Sequence, residues 1–328
     1  MAQKIITIIL GLAIVAALAW YINKNYIKSG VSIQVNTTQT PGAKTSTAPT
    51  ENLVYVNVGA ANEIWEVNSL NKTKKIFTDA DETDKLMTFS NIATQTSEVL
   101  VATSGSGARI GGLEIINLLT AKTRKIKTDF AVPDFLAFSA DSKKFAYTSF
   151  SNVEANYGFT LYYEEISGQP IKVLSNETAI ITPAWSPSST KLVYAVTSGS
   201  KTDLSIYTLS SKVKQPLVSL DGKTVDWISW PSADQILVST RKIGDNSAGE
   251  IDGISVSTGA TEKIVEFSGG RASYAYENKT GSKLAFIVAQ YKDKIDSQTA
   301  GQIYVVDLSN KKKNSLEKGN QILGWLTD

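Results

Sequence analysis

Hydrophobic positions along this chain change character twice. Residues 5–22, IITIILGLAIVAALAWYI, are an unbroken run without a charge. At about 1.5 Å per residue this run spans roughly 27 Å as a helix, enough to cross the hydrocarbon core of a bilayer. A transmembrane helix is therefore expected over about 5–26, within an anchor covering 1–28. Residues 29–50, SGVSIQVNTTQTPGAKTSTAPT, are rich in Thr, Ser, Gly and Pro and nearly uncharged. Such a stretch buries too little apolar surface to offset its ordering entropy and is expected to be a flexible linker, on the order of 25 Å end to end. From residue 51 to 328, apolar and polar residues alternate over short runs bounded by turn residues, as they do in half-buried strands.

Those strands recur in a fixed order. A turn-flanked strand pair appears as MTFSNIATQTSEVLVATS from Met87, FLAFSADSKKFAYTS from Phe135, PAWSPSSTKLVYAVTS from Pro183, WISWPSADQILVST from Trp227 and SYAYENKTGSKLAFIVA from Ser273. The aromatic of each first strand is Phe89, Phe138, Trp185, Trp230 or Tyr276, at steps of 49, 47, 45 and 46 residues. An alternating third strand follows in each unit, among them EIWEVNSL at Glu63 and QIYVVDLS at Gln302, and then a short outer strand such as KKIFT at Lys74. Four strands per unit at this period predict the blades of a β-propeller. The first unit lacks a first strand, whereas the last residues, ILGWLTD from Ile322, supply one, with Trp325 a further 49 residues beyond Tyr276. The carboxy-terminal strand is thus expected to complete blade one, close the ring without a free edge and give six blades. An open β-sandwich or two small β domains would explain neither the matched units nor the complementary ends.

FSADSKKFAYTS and AWSPSSTKLVYAVTS resemble the "WSPDG-x-x-aliphatic-aromatic" repeat of TolB-like propellers, which are six-bladed, over residues 51–328. The Asp-Gly of that turn is replaced by Ser188-Ser189 in blade four and by Ala233-Asp234 in blade five. The same repeat occurs in prolyl-oligopeptidase-type propellers, but no hydrolase domain accompanies it here, so the resemblance implies protein partners in the cell envelope rather than peptidase activity. The WD-repeat group is a poorer match, because its Gly-His dipeptide cannot occur here.

Composition narrows the chemistry. The chain has 328 residues, no Cys and no His, and a formal charge of +2. Disulfides, thiol nucleophiles, thiolate metal sites, imidazole catalysis and His-ligated metals are excluded. No P-loop, dinucleotide fingerprint or nucleophile elbow is present. The near-neutral charge argues against a nucleic-acid partner, and no cofactor or metal is expected. Asp79, Asp81, Glu82 and Asp84 cluster in one loop but lack EF-hand spacing, so a solvated acidic loop is the simpler reading. Glu164 and Glu165 are adjacent on a strand, point to opposite faces and cannot form a glycosidase pair.

Candidate binding residues follow from topology. Turns joining strands one to two and three to four share one face, here called lower; the other connections share the upper face. Lower turns are short and lysine-rich, whereas upper loops are longer, and long loops on rigid scaffolds commonly carry binding. Of four arginines in the chain, Arg109, Arg241 and Arg271 fall in upper loops, together with Tyr157 and Tyr291. Guanidinium groups suit bidentate contacts with anions, so these five residues are the expected protein-contact set.

Trp20, Tyr21 and Tyr26 with Lys24 and Lys28 resemble a membrane interface downstream of the apolar run. Lys4 and the Ala17-Leu18-Ala19 site before Trp20 leave a cleaved signal peptide, and hence secretion, as the alternative. Because the linker joins the lower end of blade one, the lower face is expected to look toward the membrane. The functional expectation is a single-pass protein of the cytoplasmic membrane, propeller outside, acting as a non-catalytic protein-binding or scaffolding module of the cell envelope. The alternative is a propeller that binds or cleaves glycans with carboxylates, although the innermost strands MTFS, LAFS and PAWS carry none.

Overall fold

A computed structural model describes residues 32–36, 51–58, 62–68, 71–79, 86–104, 110–131, 133–151, 158–177, 180–289 and 300–327. The segment expected to be an anchor lies outside them, and among the described residues no helix is long and apolar enough to cross a membrane.

The described chain is all-β. β1 (Ser32–Val35) comes first, followed by β2 (Glu51–Val58), β3 (Asn62–Val67) and β4 (Thr73–Asp79) of blade one. Blade two is β5 (Leu86–Ala93), β6 (Glu98–Ser104), β7 (Ile110–Asn117) and β8 (Thr123–Ala131). Blade three holds β9 (Phe135–Phe138), β10 (Lys144–Ser151), β11 (Gly158–Glu165) and β12 (Ile171–Glu177). Blade four consists of β13 (Ile180–Trp185), β14 (Lys191–Ser198), β15 (Lys201–Thr208) and β16 (Val213–Asp221), and blade five of β17 (Lys223–Ser229), β18 (Gln235–Lys242), β19 (Ala248–Ser255) and β20 (Thr261–Ser268). Blade six is β21 (Arg271–Glu277), β22 (Lys283–Ala289), β23 (Gly301–Asp307) and β24 (Lys313–Gly319), and β25 (Gln321–Thr327) ends the chain. β25 pairs antiparallel with β2, from Glu51↔Thr327 to Val56↔Gln321, so the carboxy-terminal strand is the inner strand of blade one and the ring has six blades.

The apolar face of each strand packs against the next blade rather than into one central core. Six buried clusters result, one at every blade junction; Val54 and Ile64 of blade one, for example, meet Phe89 and Val101 of blade two. Leu53, Tyr55 and Ile322 likewise close the junction with Ala285, Ile287 and Ile303 of blade six. Side chains also stitch the inner strands together. Asn91 donates to the Phe138 carbonyl at 2.9 Å and accepts from the Phe138 N–H at 2.9 Å. Trp185 Nε1 donates to the Ala137 carbonyl at 3.1 Å, Trp325 Nε1 to the Tyr276 carbonyl at 3.0 Å, and Gln321 Nε2 to the Phe89 carbonyl at 2.8 Å.

Two features depart from the sequence reading. Within the segment expected to be a linker, Ser32–Val35 form an edge strand on blade five, pairing Ser32↔Ser268 through Val35↔Val265, with Ile33 and Val35 against the blade five–six cluster. The alternation Ser-Ile-Gln-Val gives this short piece one apolar face, enough to occupy the open edge of β20. Because β1 runs antiparallel to β20, Ser32 sits at the upper end of blade five. The chain therefore reaches the propeller at its upper rim, contrary to the expectation that the preceding segment leaves from the lower face. The second departure is that the inner strands do carry acids: Asp226 lies on β17 and Glu277 on β21.

Candidate functional site at the channel mouth

The inner strands of all six blades surround a cavity of about 380 Å³. Its lining includes the ends of those strands and the strand one-to-two turns, among them Gln95, Ala140, Ser186, Pro231 and Lys279, so it opens on the lower face. Bulges recur along its walls: pairing slips between Phe89 and Ile92, Val225 and Trp227, and Ser273 and Tyr276. A bulge re-aims the side chains that follow it. Tyr274, at the last of these, has φ 55°, a conformation strained for a bulky residue.

The walls are aromatic. Trp185, Trp227, Trp230, Tyr276 and Trp325 all line the cavity. Trp227 lies with its ring centroid 4.5 Å from Tyr274 and 5.9 Å from Tyr276. Trp185 and Trp325 direct their indole N–H groups to the inner strand of a neighbouring blade, whereas the buried Trp227 and Trp230 Nε1 atoms have no hydrogen-bond partner. These two donors are buried within the wall, Trp227 in the blade five–six cluster and Trp230 in the blade four–five cluster.

Glu277 is the single carboxylate lining the cavity among the described residues. Burial disfavours its charged form and pushes its pKa up to about 7. Burial likewise raises the Tyr276 hydroxyl well above its ordinary value and the Tyr274 hydroxyl to about 12, so both are neutral donors at physiological pH. Asn278 is engaged: its amide donates to Glu51, whose other oxygen accepts from the Lys279 N–H at 2.9 Å. This tie joins blade six to the second strand of blade one at the cavity rim.

A smaller hollow of about 280 Å³ lies on the same face, between blades six and one. Glu51, Asn68, Asn71, Lys283, Asp307, Lys312 and Trp325 are among its lining. Trp325 borders both spaces, so the hollow continues the channel mouth outward.

The residues expected to form an upper-face contact set fare differently. Arg241 is committed within the fold: its Nε reaches both Asp226 oxygens at 3.0 Å. Burial raises the Asp226 pKa, and the positive charges of Arg241 and Arg271 partly oppose that shift. Arg271 begins β21 on the upper side, half-buried and without an ion pair among the described residues. Arg109, Tyr157 and Tyr291 lie outside the described residues, as does the acidic loop beyond Asp79. Glu164 is buried, accepting from the Tyr147 hydroxyl at 2.8 Å and pairing with Lys127, while Glu165 faces solvent. Among the described residues no group of three or more acidic side chains converges as a metal site would require.

No protein-family model and no curated relative matches the sequence. Solved structures do match in fold. TolB from Acinetobacter baumannii superposes with a TM-score of 0.62 at 13% identity, covering 85% of this chain and 67% of that one. A putative TolB from Agrobacterium tumefaciens gives a TM-score of 0.60 at 13% identity, covering 84% and 93%. An oligogalacturonate lyase in complex with manganese gives 0.50 at 9% identity, covering 87% and 83%. The chain therefore has a TolB-like six-bladed propeller fold, and the likeness at these identities is one of fold.

Proposed function

We propose that this chain is a non-catalytic protein-binding module of the cell envelope that receives its partner at the lower-face channel mouth. The observation that carries this reading is the aromatic cup of Trp185, Trp227, Trp230, Tyr276 and Trp325 at the channel mouth. Tryptophan and tyrosine dominate interaction hot spots because they combine large apolar area with a polar handle. A partner side chain seated in the cup would bury its apolar surface against the rings of Trp185, Trp230 and Trp325 that line it. The fold likeness to TolB favours a protein partner, and its likeness to a lyase keeps a glycan partner as the second reading.

Membrane attachment through residues 5–26, with the propeller outside, belongs to the same proposal and rests on the apolar run and its aromatic and lysine flank. The upper-rim position of Ser32 bears on orientation. Five residues separate 26 from Ser32 and reach at most ~18 Å when extended. An anchor at 5–26 would hold the upper rim of blade five near the bilayer and turn the channel mouth away from it. Arg271 on the upper side, with Arg109, Tyr157 and Tyr291 outside the described residues, represents the competing contact set. Intact mass of the mature chain tests attachment: a species beginning at Trp20 would replace the anchored reading with a secreted one.

Capture of partners from native membranes tests the binding site. Trp230→Ala is expected to lower capture about 30-fold or more, as a hot-spot loss of about 2 kcal/mol implies. Trp230→Phe, which keeps an aromatic ring but shortens it and removes the N–H, is expected to give an intermediate loss. Capture unchanged by both variants but abolished by Arg271→Glu would move the site to the upper face.

The glycan-cleaving alternative draws on Glu277, an acid held near neutrality as a general acid would be. Hydrolysis needs a second carboxylate at roughly 5–10 Å, and Asp226 is tied to Arg241. Glycan turnover that is lost in Glu277→Gln would establish the enzyme.

A further inference from the structure

The two acids carried by the inner strands are treated differently by the fold. Asp226 in blade five is met by Arg241, whose Nε reaches both of its oxygens at 3.0 Å, and the charges of Arg241 and Arg271 counter the effect of its burial. Glu277 in blade six receives no such help. It forms no ion pair or hydrogen bond among the described residues, and burial alone acts on its carboxyl, with no cation opposing it. Lys279 lines the same cavity, but it is exposed at the rim and does not offset that burial.

The buried polar side chains beside Glu277 in the wall are all engaged. The Ser186 hydroxyl accepts from the Lys191 N–H at 3.1 Å, and the Ser229 hydroxyl donates to the Ala275 carbonyl at 2.7 Å. Asn278 donates to Glu51 and accepts from the N–H groups of Ser282 and Lys283 at 2.9 and 2.8 Å. Glu277 is thus the one acid of the lining left open to a ligand, among the described residues. The bulge between Ser273 and Tyr276, with Tyr274 at φ 55°, immediately precedes it.

The surroundings of this carboxylate select the ligand. Trp185, Trp230, Tyr276 and Trp325 line the same cavity, whose volume of about 380 Å³ falls in the range of small-ligand pockets. Aromatic rings cover apolar surface and also attract cations. An anion would be repelled by ionised Glu277, and an apolar group would leave the carboxyl buried without a partner. A guanidinium meets both demands, because it is weakly hydrated, stacks on aromatic rings and pairs with two carboxylate oxygens at once. The methylene stem that carries it would lie against the indoles.

We infer that the partner inserts an arginine side chain into the aromatic cup, its guanidinium paired with the Glu277 carboxylate. The inference rests on the channel-mouth reading above and adds the chemistry of the group that is bound.

The test titrates the full-length chain in detergent with N-acetyl-Gly-Arg-Gly-amide and with its citrulline and lysine counterparts, read by tryptophan emission. Citrulline keeps the shape of arginine without the charge. The arginine peptide is expected to bind saturably and roughly tenfold or more tighter than the citrulline peptide. Glu277→Gln, close in size, is expected to remove that preference. Because Glu277 has a pKa of about 7, affinity for the arginine peptide is expected to rise from pH 5.5 to pH 8 as the carboxylate ionises, and to stay level in Glu277→Gln. The other titratable groups at this end of blade six are Tyr274, Tyr276, Lys279 and Lys283, with Glu51 from blade one; the two tyrosines stay neutral across this range. Equal affinity for arginine and citrulline, a preference that survives in Glu277→Gln, or no binding at millimolar concentration would overturn the inference. Tighter binding of the lysine peptide would point to an ammonium ligand and overturn the assignment to arginine. Membrane capture separates the two readings. Loss with Trp230→Ala but not with Glu277→Gln retains the cup and rejects the arginine, while loss with neither rejects both.

Discussion

Left-handed backbone recurs at the lower-face turns without glycine. Ser142 and Ser189 take φ of 54° and 57° at the position where the TolB-like repeat carries glycine, and Gly281 keeps the glycine in blade six at 70°. Both serine hydroxyls bond to the neighbouring blade: Ser189 Oγ accepts from the Asp141 N–H at 3.3 Å, and Ser142 Oγ bonds the Thr96 hydroxyl. Ala121 has no such hydroxyl at φ 55° in an exposed turn. Ala121→Gly is therefore expected to stabilise the chain by about 1 kcal/mol, read as a higher denaturant midpoint at constant slope. Glu277 gives a pH signature. Its pKa is raised from 4.5 to about 7, so between those values the folded chain holds a proton that the unfolded chain has released. Stability is expected to fall as pH rises through this window, by at most about 3 kcal/mol at 1.36 kcal/mol per unit, and to level off above it. Glu277→Gln should narrow the difference in melting temperature between pH 5 and pH 8. The cup itself was half-legible in the sequence: the spacing of Trp185, Trp230 and Trp325 marked them as inner-strand aromatics. What alternation could not show was that Trp227, one residue past a bulge, joins them, or that Trp230 lacks the backbone acceptor its equivalents have. Those facts depend on the offset between adjacent blades, which no periodicity within one blade encodes.

Strand order and strand pairing were readable because each element repeats; β1 was not, because it occurs once. Four residues in a Thr- and Pro-rich stretch carry too little pattern to stand out, although Ile33 and Val35 alternate as an edge strand requires. Their role is to cover β20, whose Ile264, Val265 and Phe267 are buried while its edge would otherwise be free. Ile33→Asp/Val35→Asp is expected to release β1, raise amide exchange along Thr261–Ser268 and lower stability by roughly 1–2 kcal/mol, leaving the ring folded. The upper-face contact set was a reasonable reading of loop length and arginine chemistry. For Arg241 the fold adds an internal partner, because β18 extends to Lys242 and brings the guanidinium against a carboxylate on its neighbouring inner strand. A loop arginine in the sequence became a strand arginine in the fold.

At the scale of the molecule, closure distributes stability around the ring. Each blade contributes to two junctions, and the blade six–one junction depends on β25 together with the Asn278–Glu51 tie. Removal of residues 321–328 would strip blade one of its inner strand and open both of its junctions; the expected result is loss of the cooperative transition rather than a five-bladed product. Six matched units and complementary ends made this architecture legible without any structure. The proposed binding face was not, because the lower and upper faces share the same strands and differ only in what their ends enclose. The measurement that bears most directly on the binding account is site-specific photocrosslinking in native membranes, with a photoreactive residue at Lys279 on the channel rim or at Lys242 on the upper side. A discrete protein adduct at 279, absent at 242 and lost when Trp230 is changed to Ala, is the predicted result. Adducts confined to position 242 would contradict it.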